Sequence, residues 1–151
     1  MTKNEELAYI AGIIDGEGYL GIGTTKSSVG NICYYPRLTI HMLDEEAIKI
    51  ACDFFKIKIR RSKLNKKDYY SFYATGKKLK EVLLKIISYL QVKKTHALLL
   101  LELIKTKDDY KPIPIRKNGH FAGTKPVPKE VTKKRKLIYD DFRKLQERHK
   151  K

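Results

Sequence analysis

The chain has 151 residues, with Lys+Arg of 33 against Asp+Glu of 17, a formal net charge of +16 and a sequence pI ≈ 9.8. Its hydrophobic content of 42% and aromatic content of 10% exclude disorder throughout, and the length suits one domain with its own core. The charge makes a polyanion the leading class of partner, and a membrane is excluded because the longest apolar run, Ala97 to Leu101 and then Leu103-Ile104, is far too short to span. The first residues contain no signal-peptide apolar region. Cys33 and Cys52 form no CxxC and no Cys/His metal spacing, so both are expected as reduced thiols in a cytoplasmic protein, Cys52 in the core.

The first helix is expected from Asn4 to Asp15 or Gly16, with Glu5 and Glu6 in its first turn and Leu7, Ile10 and Ile14 along one apolar face. On its other face Ala8, Gly12 and Gly16 recur every four residues, a stripe with almost no side chain. Glycine inside a helix costs about 1 kcal/mol relative to alanine, so Gly12 is expected to have a packing partner, its own copy in a second chain. Asp15 and Glu17 stand at the helix C-terminus, where the dipole favours cations by roughly 0.3–1 kcal/mol. A bound divalent cation or a cluster of lysines would offset this, and hard oxygen ligands suit Mg²⁺ or Ca²⁺ rather than zinc.

Residues 19–26 alternate as a half-buried strand, with Leu20 and Ile22 inward and Tyr19, Gly21, Gly23 and Thr25 outward beside Lys26. The turn Ser27-Ser28-Val29-Gly30-Asn31 leads to a second strand, 35–42, with Leu38, Ile40 and Met42 inward and Tyr35, Arg37, Thr39 and His41 outward. Asp44 is the expected N-cap of a helix from Glu45 to about Phe55. Residues 56–61 alternate again with Lys58 and Arg60 outward, and 56–67 contain seven Lys/Arg and no acid, Lys63 and Lys66 among them. The partner strand, 69–75, turns Tyr70, Phe72 and Ala74 inward and Tyr69, Ser71, Tyr73 and Thr75 towards the cationic face.

Two helices are expected at 77–88 and 93–105. From 106 to 131 periodicity disappears among four prolines and two glycines, a long connection of the kind that is usually functional or poorly ordered. A basic helix at 132–150 closes the chain. The expected order is αββαββα plus C-terminal helices, one domain with a core at 4–105. Its antiparallel saddle has helices on one face and Lys, Arg, Tyr, Thr, Ser and His on the other. Such side chains can read the major groove, where Arg37 and Arg60 are the best candidates for guanine and Lys58, Lys63 and Lys66 for phosphates or bases. The alternative is that this face is merely solvated.

The stretch Ile10-Ala11-Gly12-Ile13-Ile14-Asp15-Gly16-Glu17-Gly18 resembles the signature of the LAGLIDADG homing endonucleases, and the order of elements downstream agrees with it. The resemblance implies an α+β fold and a Mg²⁺-dependent nuclease, with Ca²⁺ or Mn²⁺ able to replace Mg²⁺. Such an enzyme hydrolyses both strands of a long pseudo-palindromic double-stranded DNA site, leaves short 3′ overhangs and is intron-encoded and nucleoid-associated. A single motif in a short chain implies a homodimer joined through Ala8, Ala11, Gly12, Asp15 and Gly16. Glu17 matches the essential metal ligand, although the family usually has aspartate there. Gly16 matches the position whose carbonyl reaches the metal, and Asp15 the first acid, expected to be mainly structural. Lys93 matches a basic residue that polarises the active-site water or the scissile phosphate, and Asp44 a polar residue that orders water. The DNA surface then comprises the outward residues of the strands, with Asn31, Arg116, Lys117 and the neighbouring Asn118 and His120 extending it. Two alternatives stand beside this: an RNA maturase or catalytically silent regulator of the same fold, and a small RNA-binding protein.

Overall fold

The first helix starts on Thr2, whose hydroxyl accepts the Glu5 N–H at 3.3 Å while the Glu5 carboxylate accepts the Thr2 N–H at 2.7 Å, a capping box that satisfies two orphan donors at once. The computed structural model describes residues 1–27 and 30–148; Ser28 and Val29 of the expected turn, and 149–150 of the expected last helix, lie outside the described residues. Helix α1 (Lys3–Glu17) passes directly into strand β1 (Gly18–Lys26). Gly18 makes this possible, since a Cβ there would lie 2.7 Å from the Ile14 carbonyl oxygen.

Strands β1, β2 (Ile32–Met42), β3 (Arg60–Leu64) and β4 (Lys67–Thr75) form one antiparallel sheet in the order β1-β2-β4-β3. Gly18 lies opposite Ile40, and Thr39 lies between Tyr19 on one side and Tyr73 on the other. Helices α2 (Glu45–Phe55), α3 (Gly76–Ile86) and α4 (Lys94–Asp109) join α1 on one face. There Ile10, Ile14, Leu38, Ile40, Ile48, Phe72, Leu79, Leu83 and Leu100 are fully buried in one cluster. No helix among the described residues covers the other face. The expected αββαββα order and its further helix are therefore present.

Two stretches differ from the sequence reading. Lys56 takes a left-handed conformation, φ 54°, as the C-cap of α2, so the strand expected from 56 begins only at Arg60. Residues 57–59 instead hold Ile57 and Ile59 half-buried against the core. The expected connection 106–131 is largely structured: α4 continues to Asp109, and β5 (Pro114–Lys117) pairs with β6 (His120–Thr124) in a hairpin. Asn118 and Gly119 turn it with φ of 51° and 77°, the mirror-image turn that Asn-Gly favours between two strands.

The last helix, α5 (Lys129–Arg148), packs Ile138 with Tyr34 and Leu103, and sets Phe142 edge-on to His96 at 5.6 Å. Leu137, expected in its apolar stripe, is 61% exposed. Arg135 fastens α5 to the end of α4, its guanidinium donating to the Thr106 carbonyl at 3.1 Å, the Tyr110 carbonyl at 3.3 Å and the Thr106 hydroxyl at 3.2 Å.

Both cysteines are free and Cys52 is buried as expected. Burial pushes its thiol up to about 11, with Asp53 adding to the shift. The neutral thiol is thus the folded form, while an unfolded chain ionises near pH ~8.5. Between these values the folded state holds the extra proton, so Cys52's contribution is complete below pH ~8.5 and is lost as pH rises towards about 11. Urea denaturation from pH 8 to 11 should show stability falling less steeply in Cys52→Ala than in the wild type, by up to about 2 kcal/mol across the range.

Candidate functional site

An acidic residue at the C-terminal end of a helix meets the negative end of its dipole, and α1 carries two, Asp15 and Glu17, with no basic residue in its last turn. The compensation comes from α4. The Lys93 ammonium donates to the Ile14 carbonyl at 2.8 Å and the Gly18 carbonyl at 2.6 Å, placing a cation on the end of α1. Asp15 returns the service: its carboxylate accepts the Gln91 N–H at 2.7 Å and the Lys93 N–H at 2.9 Å, where α4 begins without a side-chain cap of its own. Burial lowers the Lys93 pKa, while the Asp15 and Glu17 charges act the other way.

This joint leaves Glu17 exposed in the last turn of α1, with no hydrogen bond or ion pair among the described residues. Asp44 lies at the same end of the sheet, since β2 runs two residues past the partner of Gly18. Its Oδ1 accepts the Glu46 N–H at 2.9 Å and the Ala47 N–H at 3.3 Å, which makes it the N-cap of α2. Among the described residues no group of three or more His, Cys, Asp or Glu gathers as a metal cage. The Glu17 carboxylate and the Gly16 carbonyl are hard oxygen donors at the negative end of a helix, so this donor set fits Mg²⁺ or Ca²⁺ in chemistry and is short in number within one copy.

The small-residue face of α1 is uncovered. Ala8, Gly12 and Gly16 are exposed, and a Cβ added at either glycine meets nothing within 4 Å. Ala11 must be removed from the expected intersubunit set, because it is 0% exposed within the chain's own core. Asp15, half-buried, is tied to the start of α4 rather than turned to the stripe.

On the bare sheet face, register brings the outward residues into rows across the strands: Tyr19, Thr39 and Tyr73; Gly21, Arg37 and Thr75; His41, Ser71 and Arg60. The Arg60 guanidinium lies 4.6 Å from the Tyr73 ring centre, and Arg37 lies 5.8 Å from that of Tyr19. The Tyr19 ring lies across Gly21, where a Cβ would be 2.4 Å from it, so Gly21 is covered and acts as a seat for the ring. Ser71, expected outward, is on this face but only 6% exposed, its hydroxyl 2.7 Å from Nδ1 of His41. The Thr25 hydroxyl donates to the Tyr35 hydroxyl at 3.2 Å. Lys26, Lys58, Lys63 and Lys66 are exposed around the rim, with Lys63 3.9 Å from Asp68, and Asn31 and Tyr69 are half-buried.

One cation of this surface was not legible in the sequence. Lys107, on α4, reaches the Tyr35 ring at 4.9 Å beyond the end of β4. Burial and the nearby Arg135 lower its pKa. Only a contact between helix and strand distant in sequence could reveal it.

An antiparallel four-stranded sheet, backed by helices on one face and basic on the other, with a glycine-marked helix passing straight into its first strand, defines an α+β protein with a cationic open sheet face. No protein-family model matches the sequence, and no curated protein matches it. Among solved structures, the homing endonuclease I-CvuI in complex with a DNA target aligns with TM-score 0.71 and 19% identity, over 94% of this chain and 82% of that one. The archaeal intron-encoded homing endonuclease I-Vdi141I complexed with DNA gives 0.72 and 16%, over 95% and 86%. The LAGLIDADG homing endonuclease I-GzeII in complex with a DNA target gives 0.63 and 15%, over 91% of this chain and 43% of that one. The chain has the LAGLIDADG homing endonuclease fold, as its motif implies.

The joint is testable by unfolding. Lys93→Met removes two charge-assisted hydrogen bonds and should cost about 3 kcal/mol, and Asp15→Ala, like loss of an N-cap, about 1–2 kcal/mol. In urea denaturation the double variant should lose less than the sum, because both residues brace one joint; strict additivity would separate them.

Proposed function

We propose that this protein is a site-specific homing endonuclease: a homodimer that binds a long, nearly palindromic double-stranded DNA site and hydrolyses both strands with a divalent metal, leaving short 3′ overhangs. The observation that carries this reading is the exposed Glu17 at the end of α1, beside an uncovered small-residue stripe and at the inner end of a cationic saddle. The DNA complexes of I-CvuI and I-Vdi141I, which share the fold, support it.

Two copies meeting along Ala8, Gly12 and Gly16 bring two α1 C-termini, and so two Glu17 carboxylates, to one dyad. Each copy offers Glu17 and the Gly16 carbonyl, and the second copy and the DNA phosphates would supply the further oxygen ligands that Mg²⁺ needs. Bound there, the metal supplies Lewis-acid activation of the attacking water and the leaving oxygen. Lys93 holds α1 and the start of β1 in register, and its ammonium adds positive potential where phosphate charge would develop. Asp44 caps α2 at the neighbouring end of the sheet, and the same carboxylate would order a water beside the phosphate.

On the face, Arg37 and Arg60 lie against tyrosine rings, and their guanidinium groups suit bidentate pairing with guanine. Thr39, His41 and Tyr73 lie between them in the register, and Lys26, Lys58, Lys63 and Lys66 take phosphates at the rim. A strand of nine residues such as β1 is about 30 Å long at ~3.3 Å per residue, the length of about nine base pairs, so two copies span about 18 or more.

Wild type and Glu17→Gln should be incubated with a duplex library, with Mg²⁺ and with chelator, and the cut ends sequenced. Cutting of a few long near-palindromic sites, dependent on metal and reduced at least about 100-fold in Glu17→Gln with binding retained, is the expected outcome. Binding to duplex or structured RNA without any cutting would instead support a splicing or silent role.

The dimer has its own test. Gly12→Leu meets open space in the single chain and favours the helix by about 0.5–1 kcal/mol. The variant should fold at least as well as the wild type yet sediment as a monomer, and a variant that still dimerises would place the interface elsewhere.

A further inference from the structure

Among the described residues, β5 and β6 are the strands that pair outside the saddle sheet. A two-stranded hairpin standing alone is marginally stable in water. This one is pinned by its Asn118-Gly119 turn and by a bond at its base, the Lys125 N–H donating to the Ile113 carbonyl at 2.8 Å. Residues 110–129 carry five Lys/Arg and no acid. At the centre of that charge Phe121 is 68% exposed. Cross-strand register pairs Arg116 with Phe121 and Lys117 with His120, so guanidinium and ring share one face of the ribbon.

Its place in the fold is set by α4. That helix begins beside Gly18, at the inner end of β1, and its last turn puts Lys107 against Tyr35, which pairs with Gly23 towards the outer end. The hairpin starts five residues after α4 ends, at Pro114, and therefore stands at the outer end of the saddle, opposite to the Glu17 end.

We propose that this hairpin is an arm that grips the duplex flanking the segment under the saddle, entering the minor groove with Phe121 against a base step and Arg116 and Lys117 on the adjoining backbones. The inference rests on the reading that the protein binds double-stranded DNA. Three features favour a duplex flank as the occupant: charge of one sign, an exposed aromatic wedge framed by cations, and a narrow ribbon at the outer end of the saddle. Wedge-and-cation contacts of this kind read groove width and flexibility more than base identity, so the arm adds affinity with little sequence discrimination.

The full-length protein should be titrated, with Ca²⁺ in place of Mg²⁺, against its selected site as a duplex of about 20 base pairs and as one extended by about 8 on each side. The wild type should bind the longer duplex roughly ten-fold more tightly. Arg116→Ala with Lys117→Ala should abolish that advantage and lower the salt slope on the long duplex by about 1 per residue replaced. Phe121→Ala should remove the fluorescence rise of a 2-aminopurine placed in the flank. Equal wild-type affinity for the two lengths, or an advantage that survives the double substitution, would overturn the arm and leave the endonuclease reading standing. Failure to bind either duplex would overturn the reading beneath it.

Discussion

The rest of this structure depends on how one helix end is kept from repelling its own side chains. α1 finishes with two carboxylates at the negative pole of its dipole, an arrangement that costs free energy unless a cation or donor meets it. Lys93 places its ammonium on the carbonyls that close the helix, and Asp15 turns its carboxylate towards the amides that open α4. The two helix ends, one rich in carbonyls and one rich in amides, are thereby satisfied by each other's charged residue. Asp15 is consumed in this exchange and Glu17 is not. A motif with two acids two residues apart thus separates into a structural half and an exposed half, and the division follows from which side of the helix faces α4.

The same economy of position governs the sheet. Arg37 and Arg60 are long side chains that would lose considerable rotamer freedom on meeting a ligand, yet each lies over a tyrosine ring on a neighbouring strand. Gly21 makes one of these arrangements possible by leaving room for the Tyr19 ring. Ser71 is covered rather than presented because the surrounding side chains are larger, and its hydroxyl partners His41. Small residues on this face therefore position the large ones.

Much of this was legible in the sequence. Alternation in 19–26, 35–42 and 69–75 located three strands and their inward faces, and helical spacing located α1, α2, α3 and α4, because burial on one side leaves a period in the residues. Lys56 broke the pattern: its alternation continued through a left-handed helix cap that sequence period cannot distinguish from a strand. Prolines in and around the β5–β6 hairpin obscure it, and although Asn118-Gly119 between two short runs is a turn signal, those runs carry no apolar alternation. An almost wholly exposed hairpin has no buried face to alternate with. Ala11 illustrates a different limit: small residues lie on both sides of α1, and only packing shows that Ala11 turns inward while Gly12 turns out. The partnership of Lys93 with α1 joins residues some 75–79 apart in sequence, beyond the reach of any local pattern.

The strict alternation of β2 and β4 has a consequence for how such a protein can change over time. Leu38, Ile40, Phe72 and Ala74 hold the helices, while Arg37, Thr39, His41 and Tyr73 share the same strands and point away from them. Substitution on the outward set leaves the buried set in place, so the outward face can drift almost independently of folding. A lineage carrying this sheet can therefore remodel its exposed face through many single replacements, each close to neutral for the scaffold that presents it.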